Sequence, residues 1–141
     1  MVAFILCLAI SAILYFESAF RQPSKYENYR QAVQPFVDAL VKLHSEEYSA
    51  SYDDFVRDLA LADVESDKLS RAVNKENYGF NSGKTFSDAL GDFHSAAIWW
   101  NLRLDAPTGE LLKEDGDKEL NYKERASIEL ESGKSFLESG E

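Results

Sequence analysis

The first twenty positions contain no lysine or arginine, and the whole 141-residue chain contains one cysteine, two histidines and three prolines. Each scarcity excludes something. A cleavable signal peptide needs a basic leading region, and here all 15 Lys and Arg residues lie at Arg21 or later. A single thiol, Cys7, forms no intrachain disulfide, so a disulfide-stapled scaffold is excluded. Lipidation at Cys7 is disfavoured because Phe4-Ile5-Leu6, not small residues, precede it. No Asn-x-Ser/Thr acceptor occurs. Strand-type alternation is confined to one stretch, Ile128 to Phe136, which a helix from Glu119 to Leu137 accommodates equally well.

Charge of one sign dominates. The formal net charge is −10, and nearly all of it lies after residue 20. Such a domain repels phosphate backbones, so nucleic acid is not an expected partner. Anionic headgroups repel it too. Its surface suits a basic protein partner, or simply keeps the chain dissolved.

What the chain does have is an uncharged apolar run, Val2 to Phe16. Residues 1–20 as a helix reach about 30 Å, enough to span a hydrocarbon core. Tyr15, Phe16 and Phe20 would form an interfacial aromatic belt. The stretch Glu17-Ser18-Ala19 makes a poor cleavage site, so a retained transmembrane anchor is favoured over a signal peptide, and both over a buried core helix. Ala3, Cys7 and Ser11 fall on one face and form a small-residue stripe suited to contact with another membrane helix. Arg21, Lys25 and Arg30 after the run place the remaining domain in the cytoplasm, with a periplasmic or lumenal domain as the alternative.

The remainder reads as helices. Ser24 begins one, with Tyr26, Tyr29, Val33, Phe36, Val37, Leu40 and Val41 inward, bent at Pro35 and ending near Glu47. Ser51 starts a second, with Tyr52, Phe55, Val56, Leu59 and Ala62 inward, then a shorter piece around Val64, Leu69, Ala72 and Val73. Asn74 to Lys84 reads as a loop. Thr85 starts a helix to about Leu104, with Phe86, Ala89, Leu90, Phe93, Ala97, Trp100 and Leu104 on its core face. The second half of that helix is apolar nearly all round. A face that begins polar reaches Trp99 where a polar residue is expected, then Arg103, with Ile98 and Leu102 flanking it, which marks the four as a protein-contact patch. Residues 105–141 hold 11 acids against 5 bases and few apolar anchors. They are expected to be a loosely packed acidic tail.

No motif carries catalysis. Gly79 to Thr85 resembles a phosphate-binding loop but has three residues between its glycines where four are needed, and no strand precedes it. Lys113 to Glu119 resembles a calcium loop, but Tyr122 occupies the position of the closing glutamate. Neither histidine has a glutamate three residues before it. His44 with Glu47, and Asp92 with His94, would supply metal ligands only if their helices met. No catalytic residue, metal ligand set or cofactor is therefore assigned.

The expected fold class is all-α. It comprises one transmembrane helix at 1–20, a small helical bundle of about four helices at 21–104, and an acidic, loosely packed C-terminal segment at 105–141. The expected function is that of a single-pass membrane-anchored accessory subunit or adaptor acting through protein–protein contacts, with the membrane and either a membrane protein or a basic soluble protein as partners. An exported acidic inhibitor or immunity-type protein is the alternative. A metal-dependent enzyme using His44 and His94 is the third.

Overall fold

The computed structural model describes residues 25–46, 48–76, 82–105 and 110–140. It contains four helices: α1 (Lys25–Glu46), α2 (Tyr52–Glu76), α3 (Ser82–Asp105) and α4 (Glu110–Ser139). No strand is found among the described residues. The all-helical, bundled architecture is as the periodicity predicted.

The helices pack because each carries an inward seam with alternating spacings of three and four. In α1 it is Tyr29, Val33, Phe36, Leu40 and Leu43, all buried. In α2 it includes Phe55, Leu59, Ala62 and Leu69. In α3 it runs Ser82, Phe86, Ala89, Phe93, Ala96 and on to Trp100 and Arg103. In α4 it is Glu119, Lys123, Ala126, Leu130, Gly133 and Leu137. That spacing keeps one stripe facing a neighbour, as in coiled-coil packing and four-helix bundles.

Successive helices run antiparallel. Lys42 at the end of α1 meets Asp58 near the start of α2, Asp63 of α2 meets His94 of α3, and Arg103 of α3 meets Glu119 of α4. On the diagonal, α1 and α3 run parallel, Tyr29 bonding Ser82 at 2.9 Å and Phe36 meeting Phe86 edge to face. Burial raises the pKa of the Tyr29 phenol, and the Ser82 bond partly opposes the shift.

Local chemistry sets the ends. The Ser51 hydroxyl accepts the Asp54 N–H at 3.2 Å and donates to the Asp54 carboxylate at 2.7 Å, capping α2. With Arg57 also at 2.7 Å, these contacts hold the Asp54 carboxyl below its ordinary range. Gly140, at φ 83°, ends α4 by donating its N–H to the Phe136 carbonyl, a left-handed cap that favours glycine.

Several expectations change. One holds: α1 continues as a single helix through Pro35, as the unbroken stripe predicted. Pro35 sits on the exposed face, where water can satisfy the carbonyl left without a donor, while Val33, Phe36 and Val37 hold both sides of it in the core. The two pieces expected between Tyr52 and Val73 are one helix, and Val64 faces outward. α3 begins at Ser82, three residues before Thr85, because Ser82 is itself a core position. Leu104 is exposed rather than inward. The segment after residue 105 is mostly one 30-residue helix packed along α3. Its seam was hidden because two of its six positions are charged and one is glycine.

The single-pass membrane localisation is also corrected. Among the described residues no helix is long and apolar enough to cross a membrane, since each of α1–α4 carries a charged outer face. The placement of the domain on the cytoplasmic side of such a span loses its basis with it. The anchor assigned to residues 1–20, with its Ala3, Cys7 and Ser11 face, lies outside the described residues.

Candidate functional site between α2 and α3

The two flanks of α3 are packed differently, and side-chain size explains why. Toward α4, Ala89, Ala96 and Ala126 are fully buried, and Phe86 lies directly over Gly133. A Cβ built on Gly133 would stand 2.5 Å from the Phe86 Cε1 atom. Small residues let two backbones approach, and α3 packs most closely on α4. Toward α2 the interface is built from large rings. Phe55 meets Phe93 at 6.2 Å and Trp100 at 5.6 Å between ring centres, and Tyr52 meets Trp100 edge to face at 5.7 Å. These rings fill the inner side and hold the helices apart, leaving an outer groove.

That groove has a volume of about 350 Å³ and is lined by Tyr52, Val56, Asp63, His94, Ile98 and Leu102, among others. Ile98 is 60% exposed, Leu102 44% and Val56 38%. One polar crossing spans it, where His94 Nε2 lies 2.8 Å from Asp63 Oδ1. Both side chains are about half exposed, so the crossing is a hydrated pair rather than a buried dyad.

The four residues expected to form a contact patch therefore divide. Ile98 and Leu102 share the groove. Trp99 and Arg103, about a third of a turn away, face α4. The Lys118 ammonium sits 4.1 Å from the Trp99 ring centre, and Arg103 Nε donates to Glu119 at 2.7 Å. Trp99 and Arg103 are thus already engaged inside the molecule. Sequence spacing placed all four on one broad sector of α3 but carried no sign of where α4 would lie across it.

A larger recess of about 680 Å³ lies on the α4 side, lined by Trp99, Lys118, Tyr122 and Arg125 among others. Two of the three cations that line it, Lys118 and Arg125, have partners. Lys118 bonds Glu114 at 2.7 Å, and Arg125 lies 3.2 Å from Asp92 and 5.4 Å from the Tyr122 ring centre. Desolvation raises the Asp92 pKa and Arg125 opposes it. The recess is lined mostly by charged side chains, whereas the α2–α3 groove presents aliphatic side chains to solvent, and the groove is the candidate site for that reason.

Two further ionic clusters lie in the core. Glu119 and Lys123 are 5% and 4% exposed and joined at 2.7 Å, and the Lys123 ammonium stands 4.2 Å from the Trp100 ring centre. Sequence reading passed over both, although their place in the three-four seam of α4 was the available signal. Asp58, also buried, lies 2.8 Å from Lys42. Lys42 draws the Asp58 carboxyl below its usual range, and the neighbouring Glu46 is raised because it shares a hydrogen with Asp58.

No metal centre is assembled among the described residues, where no group of three or more His, Cys, Asp and Glu side chains is placed to hold an ion. Asp92 and His94 stand on opposite sides of α3, the first toward Arg125 and the second toward Asp63. Glu47, the expected companion of His44, lies outside the described residues. Set against family models, curated proteins and solved structures, the chain matches none.

Proposed function

We propose that this bundle works by holding another protein in the groove between α2 and α3, as an adaptor or accessory subunit without catalytic chemistry of its own. The observation that carries this reading is the exposure of Ile98, Leu102 and Val56 along one groove. Water-exposed aliphatic side chains that line a concavity gain most when a partner covers them.

The test is site-specific photocrosslinking in the native cell. A photoreactive residue at Ile98 should give a discrete heavier adduct containing a second protein, and Leu102→Ser should reduce it severalfold. The same residue at Ile128, which is exposed on α4, should give none. Equal adducts from positions 98 and 128, or none from 98, would remove the basis for the reading.

A further inference from the structure

We infer that the groove's partner is an amphipathic helix with basic flanks. This rests on the reading of the groove as a docking surface and adds the chemistry of the occupant. The shape argument comes from the walls. Val56, Ala60 and Asp63 on α2, and His94, Ile98 and Leu102 on α3, recur every three or four residues along two antiparallel helices. The groove is therefore straight and about two turns long along each wall, which matches a helix presenting anchors at i, i+3 or i+4, and i+7. An extended strand would find no sheet edge to pair with among the described residues.

The charge argument comes from the rims. Helical spacing carries the α2 wall through Asp53, Asp63 and Asp67, and the α3 wall ends at Asp105. Asp53, Asp67 and Asp105 are exposed and Asp63 is half exposed. Against them stands Arg71 at one end. Arg57, on the outer edge, is already held by Asp54 at 2.7 Å. His94 is paired with Asp63. An apolar floor between rims of net negative charge, in a chain of net charge −10, selects a helix with an apolar face and lysine or arginine on either side.

The experiment uses the full chain and three synthetic peptides of about eighteen residues. One is an amphipathic Leu/Lys helix, the second replaces each lysine with glutamate, and the third scrambles the Leu/Lys sequence so that no apolar face forms. Binding is read by anisotropy of labelled peptide, with sedimentation reporting the state of the protein. The Leu/Lys helix should bind one to one, at least about tenfold more tightly than either other peptide, and should weaken by about tenfold or more as salt rises from about 50 to about 500 mM. Asp63→Asn with Asp67→Asn should weaken it severalfold, Ile98→Ser with Leu102→Ser should abolish it, and Ile128→Ser should leave it unchanged.

If the glutamate peptide binds as well, or salt has no effect, while Leu102→Ser still abolishes binding, the basic partner is overturned and the docking surface stands. If no peptide responds to the Ile98 and Leu102 substitutions, both are overturned. A dimer that Leu102→Ser dissociates would make a second copy the occupant. A crosslink from position 98 to residues 2–16 would make the chain's own apolar run the occupant. Either result overturns the basic-helix proposal.

Discussion

Two glycines on α3 and α4 have opposite consequences for stability. Gly91 is exposed, with nothing within 4 Å of a built Cβ, so Gly91→Ala should stabilise the fold by about 0.5–1 kcal/mol through helix propensity alone. Gly133→Ala gains the same propensity but drives its methyl into Phe86, and overpacking of about 1–3 kcal/mol should leave a net loss. Urea denaturation of both variants checks the pair, and a gain at both positions would show that Phe86 can yield. Asp58 gives a pH signature. Its folded pKa is lowered chiefly by Lys42, so its contribution is present above the unfolded value of about 3.9 and is lost as pH falls through the lower folded value. Asp58→Asn should therefore be less stable than the parent at pH 7, with the difference closing in strong acid. Glu46, whose pKa is raised, works in the opposite sense and favours folding while it holds its proton. Comparing melting temperatures across pH for the parent and the Asn variant reads out the difference. Neither effect was visible in the sequence, because an i, i+4 count does not say which helix crosses which.

Among the elements, α4 shows most clearly what spacing reveals and what composition hides. The seams of α1 and α3 were legible because aromatic and aliphatic residues occupy them, as at Tyr29, Phe36, Phe86 and Phe93. The seam of α4 follows the same spacing but opens with Glu119 and Lys123, so a hydrophobicity reading took the segment for a loose tail. The charges are tolerated there because each has an opposite charge at 2.7 Å and Lys123 also lies over Trp100. Lys123→Met leaves Glu119 buried with only Arg103 and should cost about 3 kcal/mol. Adding Glu119→Leu should recover most of that loss, since Arg103, whose side chain is 36% exposed, can return to water. A double-mutant cycle in urea measures the coupling, and additive losses would argue against a mutually supporting pair. The early start of α3 was missed for a related reason. Ser82 reads as a loop residue, yet its hydroxyl completes a buried bond to Tyr29 from the diagonal helix.

For the molecule as a whole, periodicity made α1 and α3 legible and α2 legible in two pieces, and two of the four residues grouped as a contact patch line the α2–α3 groove. The anomaly on that face is Trp99, where spacing calls for a polar residue, with Ile98 and Leu102 flanking it; in the fold the two flanking residues are the exposed ones. Trp99 and Arg103 were grouped with them because the position of α4 is a tertiary fact, set by alanines and a glycine that carry little local signal. The same arrangement implies an order of opening. The α3–α4 hairpin joins neighbours in sequence through the closest packing in the bundle, whereas α2 rests on α3 through rings gathered at one end. Units with dense, local contacts are the last to open in native-state fluctuations. Amide hydrogens in α3 from Phe86 to Ala96, and in α4 from Lys123 to Leu130, should therefore exchange with solvent deuterium most slowly. Those of α2 beyond Ala62 should exchange sooner, a ranking that hydrogen-exchange mass spectrometry reads peptide by peptide. The groove wall on α2, Tyr52 to Asp63, borders the segment that breathes, and a bound helix would be seen as slowed exchange on both sides of that border.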